Sequence, residues 1–268
     1  MNLLEMTAAL KQAGIENAVN EANWIIRYVM LSQQEEVVRR RIAGEPLQYL
    51  LGEWEFYGYP IKVGPGVLIP RQETELLVEL VDEYFRDGGD GLVFDLCSGS
   101  GCVGIAIAKE TGRDVMAFEK SDEAVAYLRE NTRLNCVQHK VILFHRDILD
   151  EEYVSGVLGF IPEHLREKLL IVINPPYLSK EEILTLQKEV RHEPMMALFG
   201  GGDGLEFYRD FFRVWREQLR ESRLFACEVG FGQAEAVAEM FEEIGLNPQI
   251  REDYNGIERV VYSVREEF

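Results

Sequence analysis

Short apolar runs alternate with amphipathic ones from residue 91 onward, and this limits the possible folds more than any other feature. Candidate strands fall at 92–96, 115–119, 141–145, 169–173, 223–229 and 260–264. Candidate helices lie between or beside them at 101–110, 122–134, 180–188, 205–219 and 233–244. Strands joined through helices pair in parallel, and a parallel sheet needs both faces covered. Right-handed crossovers make such a sheet doubly wound, with ligands at the carboxyl ends of its strands. The expectation is an α/β fold.

The first part of the chain has a different texture. Leu3, Leu4, Ala8 and Leu10 sit near helical spacing, and Asn20 is placed to cap a helix carrying Trp24, Ile25, Tyr28, Val29 and Leu31. A third helical run at 35–42 stops at Gly44 and Pro46. Residues 53–63 are aromatic (Trp54, Phe56, Tyr57, Tyr59) and broken by Gly58 and Pro60, which predicts a β-hairpin. After the turn Gly64-Pro65-Gly66, a helix is expected from about Gln72, with Leu76, Leu77, Leu80, Val81 and Tyr84 on one face. The expected division is 1–52 helical, 53–70 hairpin linker and 71–268 α/β.

Charge narrows the function. The chain has 28 basic and 47 acidic residues, a net −19, against 47% hydrophobic residues. Residues 1–75 carry −3 of this charge and the remainder −16. A grip on a nucleic acid backbone rests on Lys and Arg, so direct nucleic acid binding is not expected. No run approaches the roughly 20 apolar residues of a membrane span, and no basic-then-apolar leader opens the sequence. Cys97, Cys102, Cys136 and Cys227 form no CxxC, and His139, His145, His164 and His192 are scattered. Free thiols in a reducing cytoplasm and no metal are expected.

Two loops carry the chemistry. The strand 92–96 runs into Cys97-Ser98-Gly99-Ser100-Gly101, and Gly99-x-Gly101-x-x-Gly104 has the spacing of a nucleotide-binding turn. Small residues let a ligand approach the backbone closely, and a helix N-terminus follows. Glu119, 20 residues after Gly99, suits a carboxylate accepting bonds from two ribose hydroxyls. A nicotinamide cofactor and S-adenosylmethionine both fit this turn. Asp147, after the third strand, is placed either to accept from an adenine amino group or to cap a turn.

The second loop separates these readings. The strand 169–173 ends in Asn174-Pro175-Pro176-Tyr177, and two prolines force the chain out of the sheet there. A planar –NH2 whose lone pair is delocalised is a poor nucleophile. The Asn174 side-chain oxygen and the Pro175 carbonyl can accept its two hydrogens, orient it and favour the charge it gains in attack, with Tyr177 as a wall. A sulfonium methyl is an electrophile that needs no acid. Alignment in a dry site is then the main help an enzyme supplies.

This tetrapeptide, with the Asp95–Gly101 loop, resembles the S-adenosylmethionine-dependent amino-methyltransferases. Further segments are similar to the release factor glutamine methyltransferase family: Gly44-Glu45-Pro46-Leu47-Gln48-Tyr49-Leu50-Leu51-Gly52, Gly66-Val67-Leu68-Ile69-Pro70-Arg71-Gln72-Glu73-Thr74-Glu75, Glu193-Pro194, Ala197-Leu198, Gly201-Gly202-Asp203-Gly204-Leu205 and Glu228-Val229-Gly230. The resemblance implies a seven-stranded, doubly wound, Rossmann-like methyltransferase sheet, a small N-terminal helical domain that docks substrate, and a β-hairpin linker. It implies S-adenosylmethionine as cofactor and peptide chain release factors as protein partners, methylated on the glutamine nitrogen of their Gly-Gly-Gln loop. By position, Asp95, Cys97, Ser98, Gly99, Ser100, Gly101, Glu119, Asp147, Ile148 and Asn174 would meet the cofactor. Asn174, Pro175, Pro176 and Tyr177 would meet the substrate amide, with Arg71 and Glu73 beside them. Gln72 replaces a common proline, and Cys97 replaces a common glycine, which a negative φ would accommodate. The rivals are a DNA or RNA adenine methyltransferase, a nicotinamide oxidoreductase, and a non-catalytic module that keeps the pocket.

Overall fold

Asn2 opens the first helix. Its side chain accepts the Glu5 N–H at 3.0 Å and its own N–H donates to the Glu5 carboxylate at 2.9 Å. This reciprocal cap fixes α1 (Leu3–Gln12). The computed structural model, which describes residues 1–157, 159 and 161–265, packs α1 with α2 (Ala18–Tyr28), α3 (Gln34–Ile42) and α4 (Leu47–Leu51). Met6, Leu10, Ala22, Ile25, Val38 and Leu47 form their shared core. Asn20 does not cap α2 as expected. The helix starts earlier, and Asn20 lies within it, donating to Asn17 at 2.7 Å. Val29 is already extended, which leaves Leu31 outside. Arg41 on α3 pairs with Glu21 on α2 at 2.7 Å in a buried contact, and with Glu189 at 2.7 Å.

The hairpin forms as expected. β1 (Glu53–Phe56) pairs antiparallel with β2 (Tyr59–Lys62) through Tyr57-Gly58, both at positive φ (52° and 78°). Two such residues give the tight turn whose twist matches the strands. Residues Gln72–Thr74 make a single 3-10 turn, so the helix expected from Gln72 begins instead at Glu75 as α5 (Glu75–Arg86).

The alternation then builds the sheet. In chain order come β3 (Leu92–Leu96), α6 (Cys102–Thr111), β4 (Val115–Glu119), α7 (Asp122–Leu134), β5 (Val141–His145), α8 (Glu151–Val157), α9 (Glu163–Arg166) and β6 (Leu169–Ile173). After them come α10 (Lys180–Thr185), α11 (Glu206–Val214), α12 (Arg216–Glu221), β7 (Leu224–Glu228), α13 (Ala234–Glu243), β8 (Gln249–Glu252) and β9 (Glu258–Val264). The described residues give a seven-stranded sheet in the order β5-β4-β3-β6-β7-β9-β8. The first five strands in that order are parallel, and β9 is antiparallel to both neighbours. The α/β, doubly wound, seven-stranded expectation holds. Residues 266–268, where the third expected part ends, lie outside the described residues.

Successive side chains along each strand feed opposite cores. Val93, Val115, Leu170, Val172 and Ala226 face α5, α6 and α7. Phe94, Leu96, Ile171, Ile173 and Phe225 face Tyr208, Phe211, Trp215 and Phe241 on the other side. The helix expected over 205–219 is two helices broken at Trp215, whose buried indole donates to the Ile148 carbonyl at 2.8 Å. Among the described residues no helix is long and apolar enough to cross a membrane.

Candidate active site

Strand order reverses between β3 and β6, which opens a crevice at their carboxyl ends. Register brings the two chemical loops together there. Leu96 lies beside Ile173, and Ile173 beside Cys227. The next residues out of these three neighbouring strands are therefore Cys97, Asn174 and Glu228.

The first loop is held by its own carboxylates. Asp95 is 2% exposed, and its Oδ2 accepts the Gly104 N–H at 3.0 Å. Burial pushes its pKa up to about 7, against the pull of the Gly104 N–H. Ser98 Oγ donates to the Asp95 carbonyl at 2.7 Å, and the Gly101 N–H donates to the Ser98 carbonyl at 2.8 Å. Glu119 accepts three backbone N–H groups, from Gly99 at 2.8 Å, Lys120 at 2.8 Å and Ser121 at 2.7 Å. Gly101 has φ +81°, and a Cβ there would sit 2.8 Å from Leu128 Cγ, so only glycine closes this turn onto α7. Cys97 does not meet the condition under which it would replace glycine freely. Its φ is +58°, in the left-handed region, because the chain turns sharply out of β3 before Ser98 N–H meets the Phe118 carbonyl at 3.0 Å.

These loops border a cavity of about 320 Å³. Asp95, Cys97, Ser98, Gly99, Ser100, Glu119, Asp147, Ile148 and Asn174 line it, whereas Gly101 shapes the turn behind it. Asp147 takes the local capping role expected of it as one alternative, and it borders the cavity. It accepts the Leu149 N–H at 2.9 Å and pairs with Lys120 at 3.1 Å. The donor set selects the ligand. The Gly99 N–H in the turn is taken by Glu119, and the Gly104 N–H, at the helix–strand contact, by Asp95. Carboxylates there repel a diphosphate and favour a cationic sulfonium. Residues Gly99 and Glu119 to Ile148 suit a nucleoside, so the residues present fit S-adenosylmethionine.

The second loop borders the same cavity through Asn174 and Pro176. Asn174 Nδ2 donates to Thr74 Oγ1 at 3.1 Å, which leaves Oδ1 as the free acceptor. Pro175 and Pro176 are buried, and Pro176 lines the cavity. Tyr177 Oη donates to Glu228 at 3.4 Å, and the Tyr177 carbonyl accepts from Gln233 at 2.9 Å. Gly200 packs against this turn so closely that a Cβ would lie 2.6 Å from the Pro176 carbonyl. A second cavity of about 100 Å³ is lined by Leu68, Arg71, Asn174, Tyr177, Leu178, Val190, Ala197 and Leu198. It shares Leu68, Arg71, Asn174 and Ala197 with the first. Glu193, buried, accepts the Ile69 N–H at 3.0 Å and pairs with Arg71, which fixes Arg71 between the cavities. Glu73 and Pro175 line neither cavity. Sequence reasoning missed Thr74, although it sits inside a quoted motif, and it gave Glu193 and Glu228 no role.

A family model, the methyltransferase small domain, matches residues 71–240. A release factor glutamine methyltransferase of Thermodesulfovibrio yellowstonii is 39% identical over 234 residues, covering 85% of this chain and 79% of the relative. Its namesakes from Fusobacterium nucleatum and Geobacter sulfurreducens are 37% and 35% identical, covering 85% and 94% of this chain and 62% and 91% of the relatives. The chain belongs to the release factor glutamine methyltransferase family. The chain is therefore a methyltransferase. Among solved structures, the human METTL16 catalytic domain in complex with an RNA hairpin superposes with a TM-score of 0.60 at 13% identity, over 87% of this chain and 83% of that one. The N-terminal domain of human METTL16 in complex with SAH gives 0.54 at 13%, over 79% and 77%. At these identities the likeness is one of fold.

Proposed function

We propose that this protein transfers the methyl group of S-adenosylmethionine to the side-chain nitrogen, N5, of the glutamine in the Gly-Gly-Gln loop of peptide chain release factors. The observation that carries this reading is the orientation of Asn174. Its amide nitrogen donates to Thr74, which leaves Oδ1 as an acceptor, and Asn174 lines both cavities. A primary amide entering through the smaller cavity would meet Asn174 Oδ1 and the Pro175 carbonyl as acceptors for its two hydrogens, with Tyr177 and Leu198 as walls.

In the larger cavity Glu119 would hold the ribose, Ile148 the adenine face, and the buried Asp95 would favour the positive charge. When bound, S-adenosylmethionine supplies a methyl carbon already activated by its sulfonium. The amide nitrogen forms the new C–N bond as the C–S bond breaks toward sulfur, and the nitrogen then loses a proton to water. Asn174 and Pro175 orient that nitrogen and stabilise the charge it gains; neither acts as a base.

The helical part, 1–52, would serve docking, with 53–70 as linker and 71 onward as catalytic domain. The Arg41–Glu189 pair at 2.7 Å ties α3 to the segment bordering the smaller cavity, which supports a shared substrate surface. The net charge of −19 favours a protein partner over a nucleic acid, and a cytoplasmic location follows from such a partner. The test is transfer of labelled methyl from the cofactor to a purified release factor and to DNA, with Asn174→Ala beside the wild type. Label in the release factor, lost in Asn174→Ala while cofactor binding persists, is expected. Label in DNA alone would overturn the reading.

A further inference from the structure

Glu228 is a carboxyl group with no part in the scheme above, and it is 2% exposed. It ends β7 directly beside Asn174, because Ile173 and Cys227 are register partners. One oxygen, Oε1, accepts from Tyr177 Oη at 3.4 Å. The other, Oε2, is buried with no hydrogen-bond partner among the described residues. Thr74, also 2% exposed, stands beside the carboxyl and favours its charged form, without a hydrogen bond of full geometry to Oε2. A buried, half-satisfied carboxyl costs stability, so its retention asks for a reason.

The hydroxyl of Thr74 supplies one. It has a single proton and accepts from Asn174 Nδ2 at 3.1 Å. Its own proton therefore needs an acceptor elsewhere, and an ionised Glu228 is the acceptor at hand. If Glu228 became a donor toward Thr74, the Thr74 proton would point at Asn174 instead, and the Asn174 amide would turn over. It would then present an –NH2 to the substrate amide, donor against donor.

Resting on the methyl-transfer reading, we propose that Glu228 is a positioning residue. Through Thr74 it sets which way the Asn174 amide faces, and through Tyr177 it holds the wall of the substrate cavity. Burial pushes the Glu228 pKa up to about 7, with Thr74, Tyr177 and Arg259 pulling down and Glu73 pushing up. The buried Cys102, Cys227 and Tyr208, and the half-buried Tyr177, also feel its charge. Turnover should therefore rise with pH as Glu228 ionises.

The experiment measures kcat, KM for a purified release factor, and cofactor Kd for the wild type, Glu228→Gln, Thr74→Val, Thr74→Ser, the Glu228→Gln/Thr74→Val double variant and Asn174→Ala. Glu228→Gln and Thr74→Val should each lower kcat by about 10–100-fold, the range for one hydrogen bond to a charged group, with Kd unchanged. The double variant should be no slower than the worse single one, and Thr74→Ser should restore the rate. The pH rise in kcat should vanish in Glu228→Gln. If that variant fails to fold, the Thr74 pair decides alone. Wild-type kcat in Glu228→Gln or Thr74→Val, while Asn174→Ala is slow, overturns this inference only. Wild-type kcat in Asn174→Ala overturns the reading beneath it.

Discussion

Replacing Asp95 by asparagine tests whether burial governs this site's electrostatics. The wild-type carboxyl is raised from 3.8 to about 7. Between those values the folded chain holds a proton that the unfolded chain has lost, so stability falls as pH rises. Below 3.8 both states are protonated and the effect is absent; above about 7 it is complete. At 1.36 kcal/mol per pH unit, the interval amounts to about 4 kcal/mol of destabilisation at pH 8 relative to pH 4. The Asp95→Asn side chain keeps an acceptor for the Gly104 N–H and does not titrate. The stability of the variant minus that of the wild type should therefore climb by up to about 4 kcal/mol across the interval. Other carboxyls, Glu228 included, titrate in both proteins and cancel in the difference. Urea unfolding at pH 4, 5, 6, 7 and 8, with m-values compared, supplies the assay. Parallel stability profiles would refute the burial argument. The same acid explains why the cost is kept. A sulfonium in the cavity favours ionised Asp95, so wild-type cofactor affinity, measured by calorimetry, should rise with pH toward 8 and the variant's should rise less.

Three further outcomes follow from single contacts. Gly101→Ala forces a Cβ to 2.8 Å from Leu128 Cγ at φ +81° and should cost about 2–4 kcal/mol in urea unfolding; an unchanged midpoint would contradict the turn. Glu119→Ala removes the acceptor of three backbone N–H groups and of the ribose, and calorimetry should show cofactor affinity weakened by about 10–100-fold. Equal affinity would mean the ribose lies elsewhere. Arg41→Ala strands the Glu21 carboxylate in a buried contact and should destabilise the N-terminal helices by about 3–5 kcal/mol, read as faster hydrogen exchange over 18–42. Unchanged exchange would show the pair contributes nothing.

What the sequence disclosed depended on how far each element's role was written in its own residues. Leu169–Ile173 is apolar throughout because both faces of β6 are covered, and Asn174-Pro175-Pro176 marks its end, so strand, edge and site were all legible. β8 was not, because Gln249–Glu252 is a polar edge strand whose register is set by β9 rather than by its own pattern. The break at Trp215 was hidden because helical periodicity continues across it, and the kink is made by a hydrogen bond to Ile148, distant in sequence. The φ of Cys97 was left open, because a left-handed φ is written in a sequence mainly through glycine or asparagine, and here the turn imposes it on a cysteine. Thr74 and Glu228 matter through contacts across three loops, to Asn174 and Tyr177, which no spacing encodes. The signals available were that both residues lie within segments similar to the family and that a charged residue closes the apolar run Leu224–Cys227.

Mass spectrometry of a release factor incubated with the enzyme and S-adenosylmethionine tests the central claim most directly. A single added methyl group, mapped to the glutamine of the Gly-Gly-Gln loop and absent when Asn174→Ala replaces the wild type, is the predicted result. An unmodified glutamine in a reaction where the cofactor is bound, or a methyl group on another residue, would contradict it.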